Sequence, residues 1–206
     1  MDKFKGKYRI ESNRLKGWNY SSDAKYFITL VTQNRECNLG NIVNGEMILS
    51  DIGKIIETEW LKSFEIRNEL FLDEYIIMPN HLHAIVIIQN KEMEIGSHVP
   101  VDSDVETHGR ASLQSQSQSP SFYRMPKSIS SFVGGFKSAI NSKIDDYIDK
   151  HNLTIPKYNR NNHFFQPNYH DHIIRNNQSY EKIKNYIINN PRNWDDDTFN
   201  DTTTPT

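Results

Sequence analysis

The chain has 206 residues, of which 36% are hydrophobic, and a formal net charge of -2. That length suits one domain with material left for tails or an insertion, and a mean hydropathy of -0.72 describes a modest core in an unusually polar chain. No apolar run is long enough to span a bilayer, and the single cysteine, Cys37, excludes an internal disulfide and a cysteine-based zinc site.

The charge is unevenly spread. The arm at 1–24 is basic, with Lys3, Lys5, Lys7, Arg9, Arg14 and Lys16 against Asp2, Glu11 and Asp23. Acidic residues gather at 91–119 and in the tail at 195–206. Between Pro120 and Arg192 there are 11 Lys/Arg and 5 Asp/Glu, so a locally basic surface is compatible with a near-neutral chain. The N-terminal residues are charged and lack the apolar stretch of a signal peptide. A cytoplasmic location is expected.

After the arm, Tyr26–Thr32 reads as a strand by its β-branched and aromatic content. Asn38–Leu49 reads as a hairpin turning at Asn44-Gly45. Ser50-Asp51 can cap the helix whose apolar stripe is Ile52, Ile55, Ile56, Trp60 and Phe64. Phe71–Ile88 holds two strands, Leu72–Ile77 and His81–Ile88, separated by Met78-Pro79-Asn80 because proline cannot donate to a central ladder. Residues 91–119, with a Gln/Ser run and several acids, read as a flexible insertion. Lys127–Lys150 has helical periodicity, and Gly134-Gly135 inside it predicts close approach of a backbone or ligand. Phe164–Ile174 is extended, and Asn177–Asn190 is a last helix before Pro191. The order of elements predicts an α+β sandwich, a small antiparallel sheet with helices on one face. One domain is expected to span 25–194.

The chemistry concentrates in two places. In Met78-Pro-Asn-His-Leu-His83 the two histidines are two apart on a strand. They therefore share a face, with Leu82 on the other, and two imidazoles on a rigid strand suit a divalent metal. In the last helix Tyr186 and Asn190 stack one turn apart beside the apolar line Tyr180, Ile183, Ile187. That aims a phenol and an amide at the sheet, and a buried amide needs a partner.

Together, the Met78–His83 motif and Tyr186-Ile-Ile-Asn-Asn-Pro191 resemble the single-tyrosine HUH transposases, and most closely the transposase-like branch similar to REP-associated tyrosine transposases. The resemblance runs from about Lys16 to Trp194. It includes Thr32-Gln-Asn-Arg35, Gly45-Glu-Met47 and Gly134-Gly-Phe-Lys137, and the long insertion departs from compact relatives. It implies a ferredoxin-like fold and a metal-dependent single-stranded DNA endonuclease and strand transferase. Tyr186 is the implied nucleophile, and His81, His83 and Asn190 the implied ligands of Mg²⁺ or Mn²⁺. The implied partners are DNA hairpins formed by imperfect palindromes; the resemblance is compatible with a homodimer, as in related transposases, and with a monomer, as in repeat-associated relatives. Candidates for phosphate contacts are Lys137, Lys143, Arg175, Lys182 and Lys184. Tyr169 is the rival nucleophile. It precedes His170-Asp-His172, which with His81 and His83 offers an alternative two-metal hydrolase. A further alternative is a hairpin-binding protein without cleavage activity.

Overall fold

A computed structural model describes residues 3–4, 7–8, 14–90, 127–159 and 161–200. The expected insertion at 91–119, residues 1–2, 5–6 and 9–13 of the basic arm and the end of the tail lie outside them. Strands β1 (Lys3–Phe4) and β2 (Lys7–Tyr8) form a two-residue antiparallel ladder.

The main sheet holds β3 (Ala24–Val31), β6 (Leu70–Ile77), β7 (His81–Ile88) and β8 (His170–Ile174), in the order β6-β7-β3-β8, antiparallel throughout. Helix α1 (Asp51–Glu65) connects β3 to β6 by way of a hairpin, and α2 (Ile129–Lys150) lies between β7 and β8. This strand-helix-strand, strand-helix-strand connectivity around two central strands is the expected ferredoxin-like α+β sandwich. Among the described residues no helix is long and apolar enough to cross a membrane.

Alternation along the strands divides the sheet's two faces. Tyr26, Ile28, Leu30, Leu82, Ala84, Val86 and Ile88 turn toward α1 and α2 and are buried with Trp60, Phe132 and Phe136. The Trp60 ring meets Phe136 at 5.0 Å and Phe132 at 5.3 Å between centroids, joining the two helices over the sheet. The opposite face carries Phe27, Thr29, His83 and Ile85. Helix α3 (Asn177–Asn189) packs there through Tyr180, Ile183 and Ile187. The expectation of helices on one face therefore holds for α1 and α2 and is corrected for α3. An α3 stripe that begins as soon as β8 ends can reach the face that those two helices leave open.

Local signals explain the connections. The hairpin of β4 (Gly40–Val43) and β5 (Glu46–Leu49) turns at Asn44 and Gly45, both left-handed with φ of 53° and 77°. That is the turn geometry whose twist suits an antiparallel pair. The Ser50 hydroxyl caps α1 by accepting from the Gly53 N–H at 3.0 Å.

Of the Gly134-Gly135 pair, Gly135 shows no close backbone approach, whereas Gly53 does. A Cβ on Gly135 would meet only the end of the Arg67 side chain at 3.1 Å, whereas one on Gly53 would lie 2.1 Å from the Leu39 carbonyl oxygen. That oxygen is fixed, because it accepts the Ser50 N–H at 2.9 Å. Gly53→Ala is therefore expected to lower stability by about 3 kcal/mol, the upper end of ordinary overpacking costs, seen as a lower urea midpoint with an unchanged slope. Gly135→Ala should lie within about 1 kcal/mol of the parent or raise stability, since alanine favours a helix interior.

Candidate metal centre and nucleophile

The site forms where the turn into β7, the end of α3 and the segment after it converge. Residues 78–81 make a tight turn in which the Met78 N–H donates to the His81 carbonyl at 2.7 Å. β7 then opens on His81 and His83, which are 0% and 2% exposed, with ring centroids 4.4 Å apart. As expected from the alternation, Leu82 faces the other way, into the main core.

Each imidazole is oriented from behind. His81 Nδ1 lies 2.8 Å from Asn80 Oδ1. An amide oxygen only accepts, so the proton sits on Nδ1 and the Nε2 lone pair points into the site. His83 Nδ1 lies 2.8 Å from Thr29 Oγ1, its cross-strand partner. Asn80 is itself held: its Nδ2 donates to the Arg35 carbonyl at 3.1 Å and to the Phe199 carbonyl at 2.8 Å. Arg35 and the preceding Asn34 both have left-handed φ, 57° and 56°, a conformation uncommon for such residues. The turn at 33–35 therefore takes on local backbone strain while offering that carbonyl to Asn80.

The third wall comes from the end of the described chain. A 3₁₀ helix (Asn190–Asp196) continues from α3, and Asp197 follows it. His81, His83 and Asp197 bring one donor atom each to within 4.8 Å of one another. Asn190 is 1% exposed, and its Nδ2 donates to Asp197 Oδ2 at 3.0 Å. Two buried atoms here make no hydrogen bond, His81 Nε2 and Asn190 Oδ1. Leaving buried polar atoms unpaired costs about 1–3 kcal/mol each. Orphaned lone pairs beside a half-buried carboxylate are what a cation would satisfy, so the donor set fits a divalent metal. The Phe199 ring covers the cluster at 4.7 Å from His81.

Tyr186 stands at the mouth, 43% exposed, with its hydroxyl 3.1 Å from His83 Nε2. Its ring packs edge-on against Phe27 at 6.2 Å and lies 5.1 Å from the His83 ring. One end of α3 is tied to the sheet by Tyr180, whose hydroxyl donates to Asp73 Oδ2 at 2.6 Å, with Lys184 on Oδ1 at 3.1 Å.

Burial governs the protonation states. It pushes the His81 imidazole down to about 4, against the opposing pull of the Asp197 charge and the Asn190 amide. It holds His83 well below the ordinary histidine value, helped by His81 and His170. Both rings are thus neutral at pH 7, as metal ligands must be. Burial also raises the Tyr186 phenol, the Asp197 charge raises it further, and the Asn190 amide partly offsets them.

The remaining residues singled out from sequence scatter. Tyr169 lies toward α2, near Ser130 Oγ at 3.4 Å and under the Arg14 guanidinium at 4.8 Å, with burial pushing its phenol up to about 12. Asp171 pairs with Arg14 at 3.7 Å, and among the described residues no group with metal-binding spacing includes His170, Asp171 or His172. The two-metal hydrolase therefore does not assemble. Lys137 Nζ donates to the Gln166 carbonyl at 2.6 Å, Lys143 pairs with Asp146 at 3.8 Å, and Lys184 serves Asp73. Arg175 and Lys182 are exposed. Sequence reasoning missed Asp197 and Phe199 by assigning them to an acidic tail. The available signal was Phe199, an aromatic residue in an otherwise polar stretch.

The fold and site define a ferredoxin-like domain in which a His-His-Asp cluster faces a helix-borne tyrosine. A solved structure of a REP-associated tyrosine transposase bound to a REP hairpin shares the fold. Its TM-score is 0.50 at 16% identity, covering 89% of this chain and 74% of that one. A crystal structure of a candidate transposase from Deinococcus radiodurans has a TM-score of 0.39 at 16% identity, covering 87% of this chain and 97% of that one. No protein-family model matches the chain. An uncharacterized protein of Haemophilus influenzae is 33% identical over 195 residues, 93% of each chain, and the present chain belongs to that protein's family.

Proposed function

We propose that the protein is a single-tyrosine HUH endonuclease and strand transferase acting on hairpin-forming single-stranded DNA, with Mg²⁺ or Mn²⁺ held by His81, His83 and Asp197 beside Asn190. The observation that carries this reading is the Tyr186 hydroxyl, 3.1 Å from a cluster histidine and still open to solvent. Neither half suffices alone: a buried donor cluster without a nucleophile only binds, and a surface tyrosine with a raised pKa attacks nothing. The shared motifs and the shared fold support the substrate class.

In this reading Tyr186 Oη attacks the scissile phosphorus as nucleophile. The bond to the 3′ oxygen breaks, and the phenol proton leaves with that oxygen as the free 3′-OH. The strand's 5′ phosphate stays on the tyrosine, so the phosphodiester energy is kept and another 3′-OH can reverse the step. A bound divalent ion would supply Lewis acidity that offsets the charge growing on the phosphate oxygens. The chain's own residues do the positioning. Phe27 and His83 fix the phenol, Asn80 and Thr29 fix the imidazoles, and Asn190 holds Asp197.

Tyr186→Phe should form no covalent protein–DNA adduct on hairpin oligonucleotides with Mn²⁺, while hairpin binding stays within about threefold of the parent. Tyr169→Phe should form the adduct normally. An adduct that survives Tyr186→Phe and is lost in Tyr169→Phe would transfer the role to Tyr169. Hairpin binding with no adduct in the parent chain would leave the non-catalytic binding protein as the function.

A further inference from the structure

Outside the cluster, the described residues enclose a second concave region. It is a cavity of about 360 Å³ along the outer edge of β8, closed by the 14–20 segment and the start of α3. Its lining includes Tyr20, Asp171, His172, Arg175, Asn176 and Ser179. The Asp171 side chain is 5% exposed, and its nearest cation, Arg14 Nε, stands at 3.7 Å, beyond hydrogen-bonding distance. A carboxylate this deep is costly unless something donates to it. Tyr20 lies beside it, its hydroxyl accepting the Leu15 N–H at 2.9 Å, and gives the cavity an aromatic wall. At the rim, Arg175 is exposed, and the N-terminus of α3 opens beside it. Asn176 Oδ1 takes the Ser179 N–H at 2.8 Å, and the free N–H groups of a helix's first turn favour an anion.

An acceptor at the floor, an aromatic wall and positive potential at the rim match one ligand class, a nucleotide with its base inserted and its phosphate outside. The position suits the site already described. Ser179 lies two turns before Tyr186 on α3, about 10 Å along the axis, and even stacked DNA advances about 3.4 Å per nucleotide along a strand. On the sheet, His172 pairs with Phe27, whose ring touches both His83 and Tyr186, while Asp171 pairs with Ile28 and turns to the other face, so the cavity wraps the edge of β8.

We infer that this cavity is a base-reading pocket for a nucleotide within about three steps of the scissile phosphate, and that the buried Asp171 carboxylate selects guanine. Guanine offers two adjacent donors, N1–H and the N2 amino group, to the two oxygens of one carboxylate. Cytosine and adenine place an acceptor beside their single amino donor, and thymine flanks its one donor with two carbonyls. Each of those would set a lone pair against Asp171. The inference rests on the single-stranded DNA reading above, but its test does not pass through Tyr186.

The test is titration of the full chain with dGMP, dAMP, dCMP and dTMP, followed by backbone amide NMR. The expected result is that dGMP perturbs Tyr20, Ile173 and Ser179 and binds roughly tenfold or more tighter than dTMP, the scale of a good bidentate base contact. Asp171→Asn should erase the preference for dGMP, and Arg175→Gln should weaken all four nucleotides alike. Equal binding of the four, perturbations confined to other surfaces, or an unchanged preference in Asp171→Asn would overturn it. If Asp171→Asn fails to fold, the parent's ranking of the four nucleotides and the location of its shifts still decide. Loss of the Tyr186 adduct with intact dGMP selectivity would count against the cleavage reading alone.

Discussion

Ending the chain after Trp194 is expected to abolish divalent-metal binding, although His81, His83, Tyr186 and Asn190 would all remain. Asp197 is the one carboxylate in the cluster. Without it, two neutral imidazoles and an amide would face the cation with no formal negative charge, a poor set for Mg²⁺ or Mn²⁺, which favour oxygen donors. The segment also closes the site. Phe199 covers His81, its carbonyl accepts from Asn80 Nδ2, and the Thr198 carbonyl accepts from Arg35 Nη1 at 3.2 Å. Truncation would let water reach His81 Nε2 and Asn190 Oδ1, removing the reason those atoms need a metal. Asp197→Ala separates the effects, since it keeps Phe199 and removes only the carboxylate. Mn²⁺ affinity, measured by electron paramagnetic resonance or calorimetry, should fall at least about 100-fold in both variants, because loss of supporting partners alone typically costs 10–100-fold. Parent-like affinity in Asp197→Ala, with loss in His81→Ala, would make Asp197 part of a cover and not a ligand.

The difference between what the sequence disclosed and what it hid follows the range of the interactions. Asn44-Gly45, the Ser50 cap and the two-residue spacing of His81 and His83 act through backbone geometry within a few residues, and each is found where that geometry puts it. Tyr186 and Asn190 were legible because α3 is amphipathic and its stripe must meet the sheet. Asp197 was not, since a run of aspartates beyond a last helix looks the same whether solvated or folded back. What distinguishes it is contact with residues more than a hundred positions earlier. The glycines make the same point. Gly135 stands out by propensity yet meets only the end of the Arg67 side chain, whereas Gly53 looks ordinary and touches the Leu39 carbonyl, a contact set by how the hairpin enters α1. The face chosen by α3 is likewise decided by the area that α1 and α2 leave uncovered.

The metal-free protein should lose stability as pH falls from 6.5 toward 4, and His81 should account for about 3 kcal/mol of that loss. An unfolded histidine takes up its proton near 6.5, while burial holds His81 at about 4 in the folded state. Above pH 6.5 both states are neutral and the residue contributes nothing. Between 6.5 and 4 the unfolded chain binds the proton and the folded chain does not. The slope of stability with pH is therefore positive there, and the deficit is complete below 4. The difference between the two values, at 1.36 kcal/mol per unit, gives the magnitude. His83, also held low by burial, adds with the same sign. Urea unfolding in chelator at pH 7 and pH 4.5 measures it, and His81→Gln should reduce the pH dependence. A parent that is equally stable at the two values would contradict the neutral, buried state of the pair. Because the folded protein already holds both imidazoles neutral, Mn²⁺ binding at pH 6 should release almost no imidazole protons. Calorimetry in buffers of different ionisation enthalpy should return the same heat. A buffer-dependent heat corresponding to one or two protons would place the histidines in a wetter, ordinarily titrating site, where a preformed metal centre has no physical basis.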